Sequence, residues 1–186
     1  MVQLARPLST PRLTLRRFER RDLDELALIF ADESVHRYLY TSPRDRNETS
    51  EALERRLEWP EDVGEDNVLL VAAELAETGR LIGDFMLHWR EDEHRQGEIG
   101  GSLHPDFHGS GYASEIYVAL LDLAFGTYRL HRVVGRCDAR NLASIRSLEK
   151  SGLRREAHFV ENEFVKGEWT DEVVLAVRAS QWAVST

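Results

Sequence analysis

The stretch that decides the fold is His104-Pro105-Asp106-Phe107-His108-Gly109-Ser110-Gly111-Tyr112-Ala113-Ser114-Glu115. Before it, Glu98-Ile99-Gly100-Gly101-Ser102-Leu103 has the character of a strand end. After it, Ala113, Ile116, Tyr117, Leu120, Leu121 and Ala124 recur at helical spacing. The order is therefore strand, glycine turn, helix start. Glycines allow the sharp turn and a close backbone approach to a ligand. The first amides of a helix lack internal partners, and its dipole favours an anion there. Together these features predict a phosphate-binding turn. Two other phosphate or acyl motifs do not fit. A P-loop requires lysine at the helix entrance, and the stretch has none. A nucleophile elbow requires Gly-x-Ser-x-Gly, but Ser110 is followed two residues later by Tyr112, and Ser102 by His104.

Within this stretch, His108-x-x-Gly111-x-Ala113 resembles the Gln/Arg-x-x-Gly-x-Gly/Ala motif of the GNAT superfamily of N-acetyltransferases. The text from Gly97 to Glu115 is similar to the branch that contains the ribosomal-protein N-terminal acetyltransferases, the Rim type. Further matches are the opening Thr10-Pro11-Arg12-Leu13, the run Asn141-x-x-Ser144 to Glu149-Lys150-x-Gly152-Leu153, and the closing hairpin with Asp171 and Trp182. The likeness covers nearly the whole chain except roughly residues 41–67. It implies an α/β fold whose mixed sheet, six- to seven-stranded and flanked by helices, is splayed between its fourth and fifth strands. It further implies acetyl-coenzyme A as cosubstrate, with the pantetheine arm in the splay and the pyrophosphate on the turn. The binding residues expected on this basis are Ser102, Leu103, His108, Gly109, Ser110, Gly111, Tyr112, Ala113 and Asn141. His108 stands where the motif has Gln or Arg, but the loop amides carry most of the phosphate contact.

Composition bounds the answer. The chain has 186 residues, 42% hydrophobic and 31% charged, which suits one globular domain with a real core. No apolar run reaches membrane-spanning length, and the first residues lack a signal-peptide core. The single cysteine, Cys137, excludes an internal disulfide. The expected setting is the cytoplasm. The net charge of −9 argues against nucleic acid as partner, and fits either a cationic substrate or simple solubility. A homodimer is compatible with all of this.

The remaining elements follow from periodicity. Alternation predicts strands over 12–18, 68–75, 81–90, 97–103 and 132–137, then a hairpin from 158–165 and 171–177 about a turn at Lys166-Gly167-Glu168-Trp169. Leu23, Leu26, Ala27 and Phe30 mark a helix, and a short helical piece follows over 34–39. Thr49 is read as the cap of a helix running to about Trp59, ahead of an exposed loop over 60–67. Asn141 caps the last helix and Gly152 closes it. Gly100 and Gly101 are read as leaving room for a ligand along the strand.

An amine attacking a thioester needs a neutral nitrogen, a held carbonyl oxygen and a tolerated thiolate. Positioning supplies much of the rate, and an oxyanion donor more; an unpaired strand amide near Ser102 or Leu103 is the expected donor. Many GNAT enzymes have a tyrosine seven residues after the capping asparagine to protonate the thiolate; here that residue is Leu148. The Rim-type branch offers a serine, here Ser144. A hydroxyl far weaker than a thiol of pKa ~8.5 is no strong acid, so Ser144 is read as a hydrogen-bond donor to sulfur. A helix-start serine bonding backbone accounts for it equally well. Glu98 is the candidate base, with pairing to an arginine as its equal alternative and His88 as the weaker base candidate. Cys137 reads as a small core residue. No metal site is expected, because Pro105 interrupts the His104 and His108 spacing. The acceptor is a primary amine, either a protein N-terminus or a small molecule. A non-catalytic acyl-coenzyme A-binding module, or a donor such as succinyl-coenzyme A, remains open.

Overall fold

The computed structural model describes residue 4 and residues 6–58, 66–90 and 93–182. Among the described residues eight strands form one sheet. They are β1 (Leu8–Ser9), β2 (Leu13–Arg16), β3 (Asp66–Leu75), β4 (Leu81–Arg90), β5 (Gln96–Leu103), β6 (Arg132–Asp138), β7 (Arg154–Val165) and β8 (Glu168–Arg178), in spatial order β1-β2-β3-β4-β5-β6-β8-β7. The eighth strand relative to expectation is the two-residue β1, which pairs Leu8 with Leu15.

Helices cover both faces of the sheet. Helices α4 (Tyr112–Asp122) and α5 (Leu142–Lys150) pack on one side, where Leu13, Val71, Leu87, Ile99, Ile116, Leu120, Val133, Leu148 and Leu175 form a buried core. Helices α1 (Leu23–Ala31), α2 (Glu33–His36) and α3 (Arg46–Leu57) precede β3. On their side Phe18, Leu26, Ile29, Phe30, Leu53, Ala72 and Leu81 form a second cluster. The inward side chains of α4 are those its spacing predicted: Ile116, Tyr117, Leu120 and Leu121 are all buried.

Helix α3 starts one turn earlier than expected. Its cap is Asp45, not Thr49: the Asp45 side chain accepts from Glu48 N, and the Glu48 carboxylate accepts from Asp45 N at 2.8 Å. This reciprocal box satisfies two orphan donors and outcompetes a single hydroxyl. Thr49 is fully buried within the helix, and its hydroxyl donates to Asp45 O at 2.7 Å. The helix stops at Leu57; Trp59 and most of the expected loop lie outside the described residues. Lys166 and Gly167 alone make the hairpin turn, at φ 52° and 86°, so Glu168 and Trp169 already belong to β8. Such a primed turn matches the twist of its strands.

Every neighbouring pair is antiparallel except β5 with β6. That parallel ladder holds for three residues, ending at Glu98 with Val134. Beyond it β5 stays paired with β4 as far as Leu103, and β6 stays paired with β8 as far as Asp138. Each strand follows its outer neighbour, so the two part. If the short β1 is not counted, these are the fourth and fifth strands, where the splay was expected.

Gly101 has a different reason to be glycine from the one read in the sequence. A Cβ there would lie 2.5 Å from the Phe85 ring and 2.6 Å from Asp84 O, whereas one at Gly100 would meet only the end of Met86, at 3.5 Å. The space at Gly101 is filled by the protein's own Phe85. Gly101→Ala is expected to cost about 1–3 kcal/mol, as overpacking does, and Gly100→Ala far less. Urea unfolding midpoints compare the two variants directly.

Candidate active site

One end of the parted strands runs into the glycine turn. Gly109 and Gly111 sit at φ 77° and 82°, where a side chain is strained. A Cβ at Gly109 would meet nothing within 4 Å, so it is backbone conformation, not crowding, that selects glycine there. Tyr112 opens α4 directly after Gly111, leaving the first amides of the helix facing the turn. The His108 side chain folds back, its Nε2 donating to Leu103 O at 2.8 Å. It thus braces the turn against the end of β5. His104 is likewise engaged within the turn, its Nδ1 accepting from Asp106 N at 3.2 Å. Among the described residues no cluster of three or more His, Cys, Asp or Glu could hold a metal.

Sequence reasoning missed the clamp that holds this turn. Arg12 donates through Nη1 to Ser110 O at 2.9 Å and through Nε to Glu115 at 2.7 Å, while its guanidinium covers the Tyr112 ring at 4.1 Å. Thr10 and the Arg12 amide also donate to Glu115, at 2.5 and 2.9 Å. Burial pushes the Glu115 carboxyl up, but these hydrogen bonds outweigh it and hold the group below its ordinary value. The clamp places a guanidinium beside a helix start already suited to an anion. The stretch Thr10-Pro11-Arg12 was legible as a strand opening, but about a hundred residues of chain separate it from the turn.

The other end of the opening carries Glu98, directly across from His88 on β4. Burial pushes the Glu98 carboxyl above its ordinary value, and Glu172 adds to this. The Arg136 guanidinium, 3.4 Å away, and His88 pull the other way without cancelling it. Arg136 also contacts both oxygens of the buried Glu172 at 3.3 and 3.4 Å. Asn162 donates to Glu172 at 3.1 Å and to Glu163 at 3.3 Å. Beside them stands Tyr40, 68% exposed, its phenol pushed up first by partial burial and then by Glu163, Glu172 and Glu98. Two carboxylates, Glu98 and Glu172, hold one guanidinium, and a third, Glu163, stands near Tyr40 and Asn162, so carboxylates outnumber the guanidinium there. Of this group the sequence had picked out only Glu98 and His88.

The start of α5 follows directly on the end of β6. Asn141 Oδ1 caps it by accepting from Ser144 N at 3.1 Å. The Ser144 side chain is partly exposed, and its hydroxyl accepts from Cys137 Sγ at 3.3 Å. Burial pushes the Cys137 thiol up, which keeps it protonated and suits a core residue, not a nucleophile. Leu148 is buried, and a Cβ added at Gly135 would lie 2.6 Å from it. Core packing therefore fills the place where the family resemblance led to the expectation of a tyrosine.

A mixed sheet parted at one parallel pair, with a glycine turn opening a helix at the end of the gap, is the arrangement that the sequence resemblance implied. The acetyltransferase (GNAT) domain family matches residues 12–154, and the chain belongs to this family of acyl-transferring enzymes. It is 28% identical over 175 residues to an uncharacterized N-acetyltransferase, YnaD, of Bacillus subtilis, covering 94% of this chain and 98% of that protein. A GNAT-family acetyltransferase structure from Bacillus anthracis superposes with a TM-score of 0.82 at 27% identity, covering 94% and 99% of the two chains. The spermidine N-acetyltransferase of Vibrio cholerae, solved with CoA and spermine, shares the fold at a TM-score of 0.74 and 24% identity, over 92% and 98%. No helix among the described residues is long and apolar enough to cross a membrane.

Proposed function

We propose that this chain transfers the acetyl group of acetyl-coenzyme A to a cationic primary amine, by direct attack in a ternary complex. The observation that carries this reading is the parting of β5 from β6, which joins the Gly109–Gly111 turn to Glu98 through one opening. The pyrophosphate lies on the turn, on the amides of Gly109, Ser110, Gly111, Tyr112 and Ala113. The pantetheine arm runs along Ser102 and Leu103, past Asn141. The amine enters at Glu98. As its nitrogen bonds the carbonyl carbon, the carbonyl oxygen gains charge and takes a hydrogen bond from a β5 amide near Ser102 or Leu103. The carbon–sulfur bond then breaks, with Ser144 donating to the leaving sulfur. The proton of the amine passes to Glu98, directly or through water. Cys137, held protonated, takes no acyl group.

The preference for a cationic acceptor rests on the carboxylates of Glu98, Glu163 and Glu172, with Tyr40 beside them. Carboxylates and an aromatic face attract ammonium groups. The same carboxylates disfavour succinyl-coenzyme A: Arg136 is the basic residue there, and Glu98 and Glu172 already hold it.

Thiol release from acetyl-coenzyme A, with products read by mass spectrometry, tests this across diamines, polyamines, monoamines and N-terminal peptides. The highest kcat/KM is expected for small amines bearing a second positive charge. A preference for neutral or acidic acceptors would overturn the acceptor assignment, and preference for a peptide α-amine would move it to the ribosomal type. Binding of the coenzyme without turnover of any amine would favour the non-catalytic reading.

A further inference from the structure

The hairpin of β7 and β8 outruns the sheet. β8 runs beside β6 as far as Glu172, which pairs with Asp138, and one further bond joins Ala139 N to Asp171 O at 2.9 Å. From Phe159 to Glu163, β7 advances four residues while β8 advances two, so a bulge separates the outer part of the hairpin from the inner. Glu161 takes φ 49° there, and the Asp171 carboxylate accepts from its amide at 2.9 Å. Beyond the bulge, Glu163, Phe164 and Val165 pair across the turn with Thr170, Trp169 and Glu168. A two-stranded ribbon is marginal by itself, yet this one carries Glu163, one of the carboxylates assigned to the acceptor.

Lys166, in the turn, fastens the ribbon to the segment after α2. Its Nζ donates to His36 O at 2.5 Å, across 130 residues of chain. The same carbonyl accepts from Leu39 N at 3.1 Å, and the buried His36 ring meets the Thr41 hydroxyl through Nδ1 at 2.9 Å. Tyr40 lies between the two residues so held. A looser tie runs alongside: Arg140 pairs with Glu168 at 2.9 Å and lies over the Tyr38 ring at 5.9 Å. Lysine is uncommon in this chain, since Lys150 and Lys166 are two among 24 lysines and arginines. A compact ammonium suits a single carbonyl oxygen, whereas the guanidinium fork suits carboxylates. We propose that Lys166 is a positioning residue for the acceptor amine: by tying the hairpin tip to residues 36–41 it fixes the place of Glu163 relative to Tyr40, and so shapes the site in which the amine binds. This rests on the reading that the amine enters at Glu98, beside these two residues. Lys166 acts through the hairpin, not on the amine.

Lys166→Met keeps the stem and the backbone demand of φ 52° and removes the ammonium. With acetyl-coenzyme A saturating, KM for the best amine of the panel is expected to rise about three- to tenfold, the scale of one partly solvated hydrogen bond. KM for acetyl-coenzyme A is expected to stay unchanged. The sign separates the roles: were Lys166 only a charge among carboxylates, its loss would strengthen their pull on an ammonium and lower the amine KM. Hydrogen exchange reads the tie without substrate. Amides of 161–170 are expected to exchange faster in Lys166→Met, with those of β4 and β5 unchanged. An amine KM that is unmoved or lowered overturns the proposal, as does unchanged exchange at the tip. A rise in both KM values marks a general loss of structure and also counts against it. Turnover with an unmoved amine KM rejects this inference alone. No turnover of any amine by the wild-type chain rejects the acetyltransferase reading and this one with it.

Discussion

Glu98→Gln is expected to lower kcat/KM tenfold or more at pH 7, with a defect that shrinks as pH rises. Base catalysis supplies ~10²–10⁴-fold, so a tenfold loss is a modest demand. An alkylammonium has a pKa near ~10.4, so at neutral pH the enzyme must remove a proton that the solvent leaves in place. Only the ionised carboxylate can do so. Burial, reinforced by Glu172, pushes the Glu98 carboxyl up against the pull of Arg136 and His88. Its titration therefore shapes the acid limb of the wild-type profile above the range of an ordinary glutamate, with activity rising as the group loses its proton. Glu98→Gln should erase that limb and leave only the rise due to free amine. Coenzyme A affinity should stay nearly unchanged, because Glu98 lies where β5 and β6 are still paired, before the strand reaches the turn. Full pH profiles of both enzymes decide the matter. A defect flat with pH would mean that Glu98 positions the substrate through Arg136, and the base would then be His88 or water.

Gly111→Asp should weaken coenzyme A binding about a hundredfold. The residue sits at φ 82° immediately before α4, and a Cβ there would meet only Arg12 Nη2, at 3.7 Å. Space is therefore available, but any side chain is strained at this φ, so the cost of charge is read against an uncharged variant that carries the same strain. A carboxylate ~5 Å from a phosphate charge costs ~3 kcal/mol at an effective dielectric of ~20, which is about a hundredfold. It would also draw Arg12 away from Ser110 and Glu115. Gly111→Asn separates the causes: it has the same shape and backbone demand but no charge, so it should lose far less. Calorimetric titration of coenzyme A against both variants gives the comparison. Equal affinities for wild type and Gly111→Asp, with the fold intact, would remove the pyrophosphate from this turn.

Much of this architecture was readable because the signals are local. The period of Ile116, Tyr117, Leu120 and Leu121 dictates which face of α4 is buried, whatever it packs against. Asn141 and Gly152 bound α5 by local cap chemistry. The two glycines of the turn answer a local backbone demand, φ 77° and 82°. Where the local reading failed, a neighbouring local rule won: at α3 the Asp45 and Glu48 box displaced Thr49 as cap. At Gly101 the failure had a different source, since the ring that fills the glycine's empty place comes from another strand.

The charged groups around the site belong to that second kind. Arg12 reaches Ser110 and Glu115 across about a hundred residues, and Arg136 meets Glu98 only because β5 and β6 run side by side before parting. Glu172 and Asn162 arrive from the β7–β8 hairpin, and Tyr40 from the segment after α2. A side chain's period tells which face it occupies, but not which charge stands opposite. The sequence by itself determined the order of elements, their buried faces and the anion-ready turn, because backbone conformation and apolar spacing are written residue by residue. Tertiary structure alone decided the carboxylates gathered at Arg136, the arginine clamp and the Cys137–Ser144 contact, because electrostatic and hydrogen-bond energies depend on distances that the sheet's strand order sets.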